Sequence, residues 1–262
     1  MTYPVPTTRE RTWQVLVIVA YLGMVAMNAL ANLLPLFGRA TGEVSADYPS
    51  LFTPAPYTFA IWGAIYLALA GFCVYQALPR GSRLPTSLRP LFVLSCLLNV
   101  GWLVSWHALL IPLSEVIMVA LLLTLIALYL RAEAWRGAAD SGERWFVHVP
   151  VSLYLGWITV ATVANTGITL LDLGFDGGSA AVALTVVVIA VATLLGLLSV
   201  LRRRDGVYAL VIAWGLGGVA AARSADGGAG TVVAAALVCV VLLAVAGLWA
   251  LLGRLKASAA PA

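Results

Sequence analysis

The side chains best placed to do chemistry in this sequence are amides and aromatic rings at helical spacing. Asn99, Trp102 and Trp106 follow one another at i, i+3 and i+7, which puts them on one face of a helix. Tyr154, Trp157, Ala161 and Asn165 share a face in the same way, and Phe59, Trp62 and Tyr66 form a third group. Asn28 and Asn32 form a fourth. Four such faces suit the lining of one common pocket. The same residues also have a reading without a ligand. Trp and Tyr populate the interfacial belts of membrane proteins, and Asn bonds neighbouring helices.

Other chemistries are poorly provided for. Cys73, Cys96 and Cys239 stand alone in apolar runs with no C-x-x-C spacing, which argues against disulfides and zinc sites. His107 and His148 fall near opposite ends of their helices without a second ligand at helical spacing, so no metal or haem centre is expected. Lys256, the sole lysine, lies in the tail after the last apolar run, which leaves no buried amine for a retinal Schiff base. The phosphate-cradling G-x-x-x-x-G-K-[ST] motif and the nucleophile elbow are absent, and no acid/base pair sits at catalytic spacing, so an enzyme is not expected.

The elements that must carry these side chains follow from composition. Of 262 residues, 62% are apolar and 10% charged, against about 25% charged in a soluble domain. A helix crosses the roughly 30 Å hydrocarbon layer with about 20 mainly apolar residues. Runs of that kind are predicted at Trp13–Phe37, Pro56–Leu78, Leu91–Leu110, Leu113–Leu130, Phe146–Leu170, Ala180–Leu201, Val207–Ala222 and Thr231–Leu252. The seventh is short and rich in glycine. The chain therefore reads as an all-α, multi-pass integral membrane protein.

Cation placement orients it, because short cytoplasmic loops retain Lys and Arg. Arg9 and Arg11 precede the first span, and Arg80, Arg83 and Arg89 lie between the second and third. Arg131, Arg136 and Arg144 lie between the fourth and fifth, Arg202, Arg203 and Arg204 between the sixth and seventh, and Arg254 and Lys256 after the eighth. Only Arg39 and Arg223 fall on the other side. Both termini are thus expected inside, in a cytoplasmic (inner) membrane of bacterial type. The net charge of +4 reflects this topology, and nucleic acid is not an expected partner. Ala29-Leu30-Ala31 imitates a signal-peptidase site, but the apolar run continues through Phe37, so the first helix is read as uncleaved.

On these residues the first five spans resemble the translocator protein, or tryptophan-rich sensory protein, family (TspO/MBR), whose members are five-helix membrane bundles. Phe52-Thr-Pro-Ala-Pro-Tyr-Thr-Phe-Ala-Ile-Trp62-Gly-Ala-Ile-Tyr66 is similar to the family's W-x-P-P-x-W…W-x-x-L-Y lead into its second helix. Asn99-Val-Gly-Trp102 matches its N-x-x-W, Glu115 stands where the fourth helix carries an acid, and Pro150, Tyr154, Trp157, Ala161 and Asn165 match its fifth helix. The resemblance covers roughly residues 12–170. It divides the chain into a TspO/MBR-like domain, 1–172, and a three-helix transmembrane extension, 173–262.

What the resemblance implies is a ligand pocket in the outer half of the bundle, lined or supported by Trp62, Tyr66, Asn99, Trp102, Trp157, Ala161 and Asn165; the helix faces read above add Asn28, Asn32, Trp106 and Tyr154 to the candidate site. Family ligands are flat and hydrophobic: protoporphyrin and other tetrapyrroles, sterols in eukaryotic members, and benzodiazepine-type compounds. A porphyrin is accordingly the expected ligand, with no obligatory cofactor, and homodimerisation is left open. The loop from Gly38 to Thr53, with Glu43 and Asp47, resembles the family's lid. Phe52 replaces the usual Trp, one residue is missing between Phe59 and Trp62, and no Tyr followed by a cation trails Asn165, so sterol binding is not expected. The last three spans are nearly pure Ala, Val, Leu and Gly, with Thr185, Thr193, Tyr208 and Trp214 as exceptions. They read as a packing and lipid-facing extension, or as a replacement for a dimer contact or part of a translocation path. Two functions compete: a binding protein or sensor, and a secondary transporter of the same molecule. Ion-coupled transporters carry intramembrane carboxylates, whereas Glu115 and Asp172 lie at span ends, which favours binding.

Overall fold

In hydrocarbon a backbone N–H or C=O has no water to bond, so each long apolar run closes its own hydrogen bonds as a helix. A computed structural model of the chain describes residues 6–34, 36–39, 41–135, 141–227 and 229–259. The side chains of Asn32, Ser82, Arg83, Ser141 and residues 254–259 lie outside the description. Among the described residues eight helices are long and apolar enough to cross a membrane, and no strand occurs. They are α1 (Thr8–Leu33), α2 (Ile61–Ala77), α3 (Leu88–His107), α4 (Ile111–Trp135), α5 (Val149–Asp172), α6 (Ala181–Arg203), α7 (Gly206–Ala225) and α8 (Gly230–Ala259).

Most differences from the predicted boundaries have local causes. The first helix begins earlier, at Thr8, because Thr7 and Glu10 form a capping box: the Glu10 carboxylate accepts the Thr7 N–H at 2.8 Å and the Thr7 hydroxyl accepts the Glu10 N–H at 3.3 Å. The fourth runs on through Arg131 and Glu133 to Trp135, since residues 131–135 are all good or tolerable helix formers. A short π-helical turn, Arg144–His148, leads into α5.

The chain packs as two compact units, Met1–Val44 with Ile61–Leu155, and Ser45–Ala60 with Gly156–Ala262. The second takes residues from both sides of position 172. In the first, α3 packs against both α1 and α4 and α2 packs on α1, burying Ile65, Leu69, Leu103, Met118 and Leu121, and Phe72 meets Phe92 at 4.7 Å between ring centres. Arg89, counted above among loop cations, sits instead in the first turn of α3 with 1% of its surface exposed. Its guanidinium donates to the Gln76 side-chain oxygen at 3.0 Å and to the Gly81 carbonyl at 2.9 Å, which is how a buried charge is tolerated.

In the second unit α6, α7 and α8 pack on one another, and α7 is the enclosed member of the three. Three of its glycines, Gly206, Gly215 and Gly218, mark close approaches. A Cβ on Gly218 would overlap the Thr58 hydroxyl and press on Pro54, because the 54–58 segment lies directly against α7. The Ala55 N–H donates to the Gly218 carbonyl at 3.0 Å, the Trp214 indole N–H donates to the Thr58 carbonyl at 2.8 Å, and Tyr57 meets Trp214 edge-on at 5.7 Å. The three-helix segment is thus not only lipid-facing, since α7 forms a joint with the lead into the second span.

Candidate functional site

The first unit holds eight of the eleven residues singled out by the sequence, seven of them with described side chains. Asn28, on α1, donates its side-chain amide to the Asn99 amide oxygen, on α3, at 2.8 Å, and also to the Met24 carbonyl at 2.9 Å. Both amides are buried, at 6% and 0% exposure. Trp62 stacks on Tyr66 at 5.4 Å and meets Tyr154 edge-on at 6.0 Å. The Tyr154 hydroxyl reaches the Met24 sulfur at 3.9 Å, so Met24 touches both the amide pair and the ring group. Tyr21, which the sequence did not single out, donates its hydroxyl to the Tyr66 carbonyl at 2.9 Å. Trp102 stacks on Trp106 at 5.8 Å. The i, i+4 spacing of Trp62 with Tyr66, and of Trp102 with Trp106, sets both stacks. The side chain of Asn32 lies outside the described residues.

Trp106 is also committed to the loop after α1. Its indole N–H donates to the Thr41 carbonyl at 3.1 Å, and the Thr41 hydroxyl lies 3.1 Å from Nε2 of His107. The His107 Nδ1 lies 3.1 Å from the Leu103 carbonyl, so that nitrogen carries the proton and Nε2 accepts from Thr41. The end of α3 therefore clamps the start of the short helix Thr41–Ala46. Two adjacent residues of one helix end converging on Thr41 could not be read from spacing, because Thr41 lies 65 positions from Trp106.

In the second unit, Trp157 is 1% exposed and meets Phe59 edge-on at 5.6 Å. Asn165 is buried, with its amide 3.5 Å from the Thr169 hydroxyl, and Ala161 is half-buried. At about 100° per residue these three lie on one side of α5, and Val163, Thr166, Gly167 and Leu170 lie on the other. That other side faces a cavity of about 250 Å³, closed by the 49–52 segment and the start of α6. The segment is tied to α5 by the Tyr48 hydroxyl, which donates to Asp172 at 2.8 Å.

Sequence reasoning also missed a buried ionisable pair. Glu133, near the end of α4, and His148, at the end of the π-helical turn, are 7% and 5% exposed and approach to 3.6 Å. The pair lies 15 positions apart across a loop, outside any helical spacing. Among the described residues no cluster of three or more His, Cys, Asp or Glu side chains is arranged to hold a metal ion.

Eight long apolar helices define the chain as a multi-pass membrane protein. The sequence matches the family described as TSPO-like protein over residues 14–249, from the first helix into the eighth, and the chain belongs to that family. No curated protein and no solved structure matches it.

Proposed function

We propose that this chain is a non-catalytic binding protein or sensor that holds a planar, hydrophobic, porphyrin-like molecule against the aromatic and amide side chains of its first unit. The buried Asn28–Asn99 pair carries the reading. Primary amides inside a membrane span are costly unless partnered, and here the two bond each other and adjoin, through Met24, the Tyr154 ring, which meets the Trp62–Tyr66 stack. Membership of the family supports the ligand class. The excess of cations in alternate loops supports both termini on the cytoplasmic side.

The test is titration of purified protein with protoporphyrin, read by the porphyrin absorbance. Wild type should bind saturably, and Trp62→Leu and Asn99→Leu should each weaken binding about tenfold, the size of a lost stacking or orienting contact near 1.4 kcal/mol. Equal binding by wild type and both variants would overturn the proposal. The Glu133–His148 pair, buried at 3.6 Å near the end of α4, favours one second reading, movement of the same molecule coupled to protons. Uptake into proteoliposomes that follows a proton gradient and is lost in Glu133→Gln would establish it.

A further inference from the structure

The cavity on the far side of α5 is left unused by the porphyrin reading, and its chemistry is different. Its inner wall is apolar, with Phe52, Val163 and Val188 contributing. Its mouth carries Phe175 and Asp176 on the turn between α5 and α6, both exposed. Asp176 is the one charged residue in this lining among the described residues. It is fixed there, because its Oδ1 accepts the Gly178 N–H at 2.8 Å.

Size excludes the larger candidates. At about 250 Å³ the space exceeds the roughly 150 Å³ that accommodates benzene and falls below the roughly 300–1,000 Å³ of pockets for drug-sized ligands. Charge excludes another class, since a carboxylate at the mouth with no cation in the wall repels anions, lipid phosphates included. Two aromatic rings and one carboxylate around an apolar hollow are the elements that recognise an organic cation, through ring-face attraction and charge pairing. The geometry points to a site for a small monovalent organic cation with an apolar body, an aryl- or alkylammonium. Its charge lies at Asp176 and Phe175 and its apolar end against Val163 and Val188. The site does not depend on the porphyrin proposal, because it lies on the face of α5 opposite Trp157, Ala161 and Asn165.

The experiment is calorimetric titration of the full chain, in uncharged detergent, with benzyltrimethylammonium chloride. Wild type should bind saturably, Asp176→Asn about fivefold more weakly, as expected for one charge pair at a solvated rim. Asp176→Glu should recover most of the affinity, and Val188→Phe, whose ring fills the hollow, should abolish it. Benzyl alcohol, which is neutral, should bind more weakly than the cation. The inference is overturned if wild type does not bind, if no variant changes the isotherm, which means partition into micelles, or if benzyl alcohol binds as tightly as the cation.

Discussion

Replacing Gly218 with alanine tests the joint between α7 and the 54–58 segment by the sign of its effect. In an unobstructed helix interior, Gly→Ala stabilises by about 1 kcal/mol, because alanine gives up less backbone freedom on folding. At Gly218 the added methyl would overlap the Thr58 hydroxyl and come within 2.9 Å of Pro54 Cβ. Both neighbours belong to a segment held by hydrogen bonds, so neither is the free end of a flexible side chain. Overpacking of this kind costs about 1–3 kcal/mol. Displacing the segment also weakens the bonds from Ala55 to Gly218 and from Trp214 to Thr58, each worth about 0.5–1.5 kcal/mol. The clash and lost bonds outweigh the propensity gain, and Gly218→Ala should destabilise by about 1–3 kcal/mol net. Gly217, its neighbour, supplies the control: nothing lies within 4 Å of a Cβ built there, so Gly217→Ala should be neutral or stabilising. Unfolding with sodium dodecyl sulfate in mixed micelles, followed by circular dichroism, measures both. Thr58→Ala removes the hydroxyl and methyl that meet the new side chain, so the double variant should recover about 1 kcal/mol or more relative to additivity. If Gly218→Ala matches Gly217→Ala, or the double variant is additive, the joint does not exist as described.

Two further outcomes follow from the first unit. In a double-mutant cycle, Asn28→Ala and Asn99→Ala should show a coupling of about 0.6 kcal/mol, and no more than about 1.7, the range for interhelical polar bonds in membranes; mixed-micelle unfolding reads it, and zero coupling would refute the pair. Trp106→Phe keeps the ring but loses the N–H that bonds Thr41, so backbone amides of the short helix Thr41–Ala46 should exchange with deuterium about tenfold faster while those of α3 hold.

The number and type of elements were readable because a membrane imposes them. Runs such as Ala180–Leu201 have one stable form in hydrocarbon, and composition locates them to within a few residues. The same rule hid what the helices do to each other, because periodicity along one helix does not say which neighbour its face meets. Asn99 and Trp102 are correctly placed on one face, yet the partner of Asn99, Asn28, lies 71 positions away. Arg89 read as a loop cation because a charge at a span end is normally solvated, and only tertiary hydrogen bonds keep it inside. The seventh run read only as short and rich in glycine, and the reason for Gly218, an approach too close for a Cβ, is visible only with Thr58 beside it. Glu133 and Asp176 drew no attention for a related reason, since an acid near the end of a helix is ordinarily hydrated and its surroundings are set by segments remote in sequence.

The bond from Trp214 to Thr58 has a consequence for how the protein is made. Those residues are 156 positions apart, so at about 5–20 residues per second a ribosome delivers the receiving helix roughly 8–30 s after the lead-in has left it. For that interval the proline-rich lead-in has no seat, and its carbonyls must be served by water, lipid headgroups or the insertion machinery. Assembly of the second unit is therefore necessarily a late event of biogenesis, and a ribosome that stops before α7 leaves the lead-in without its dock.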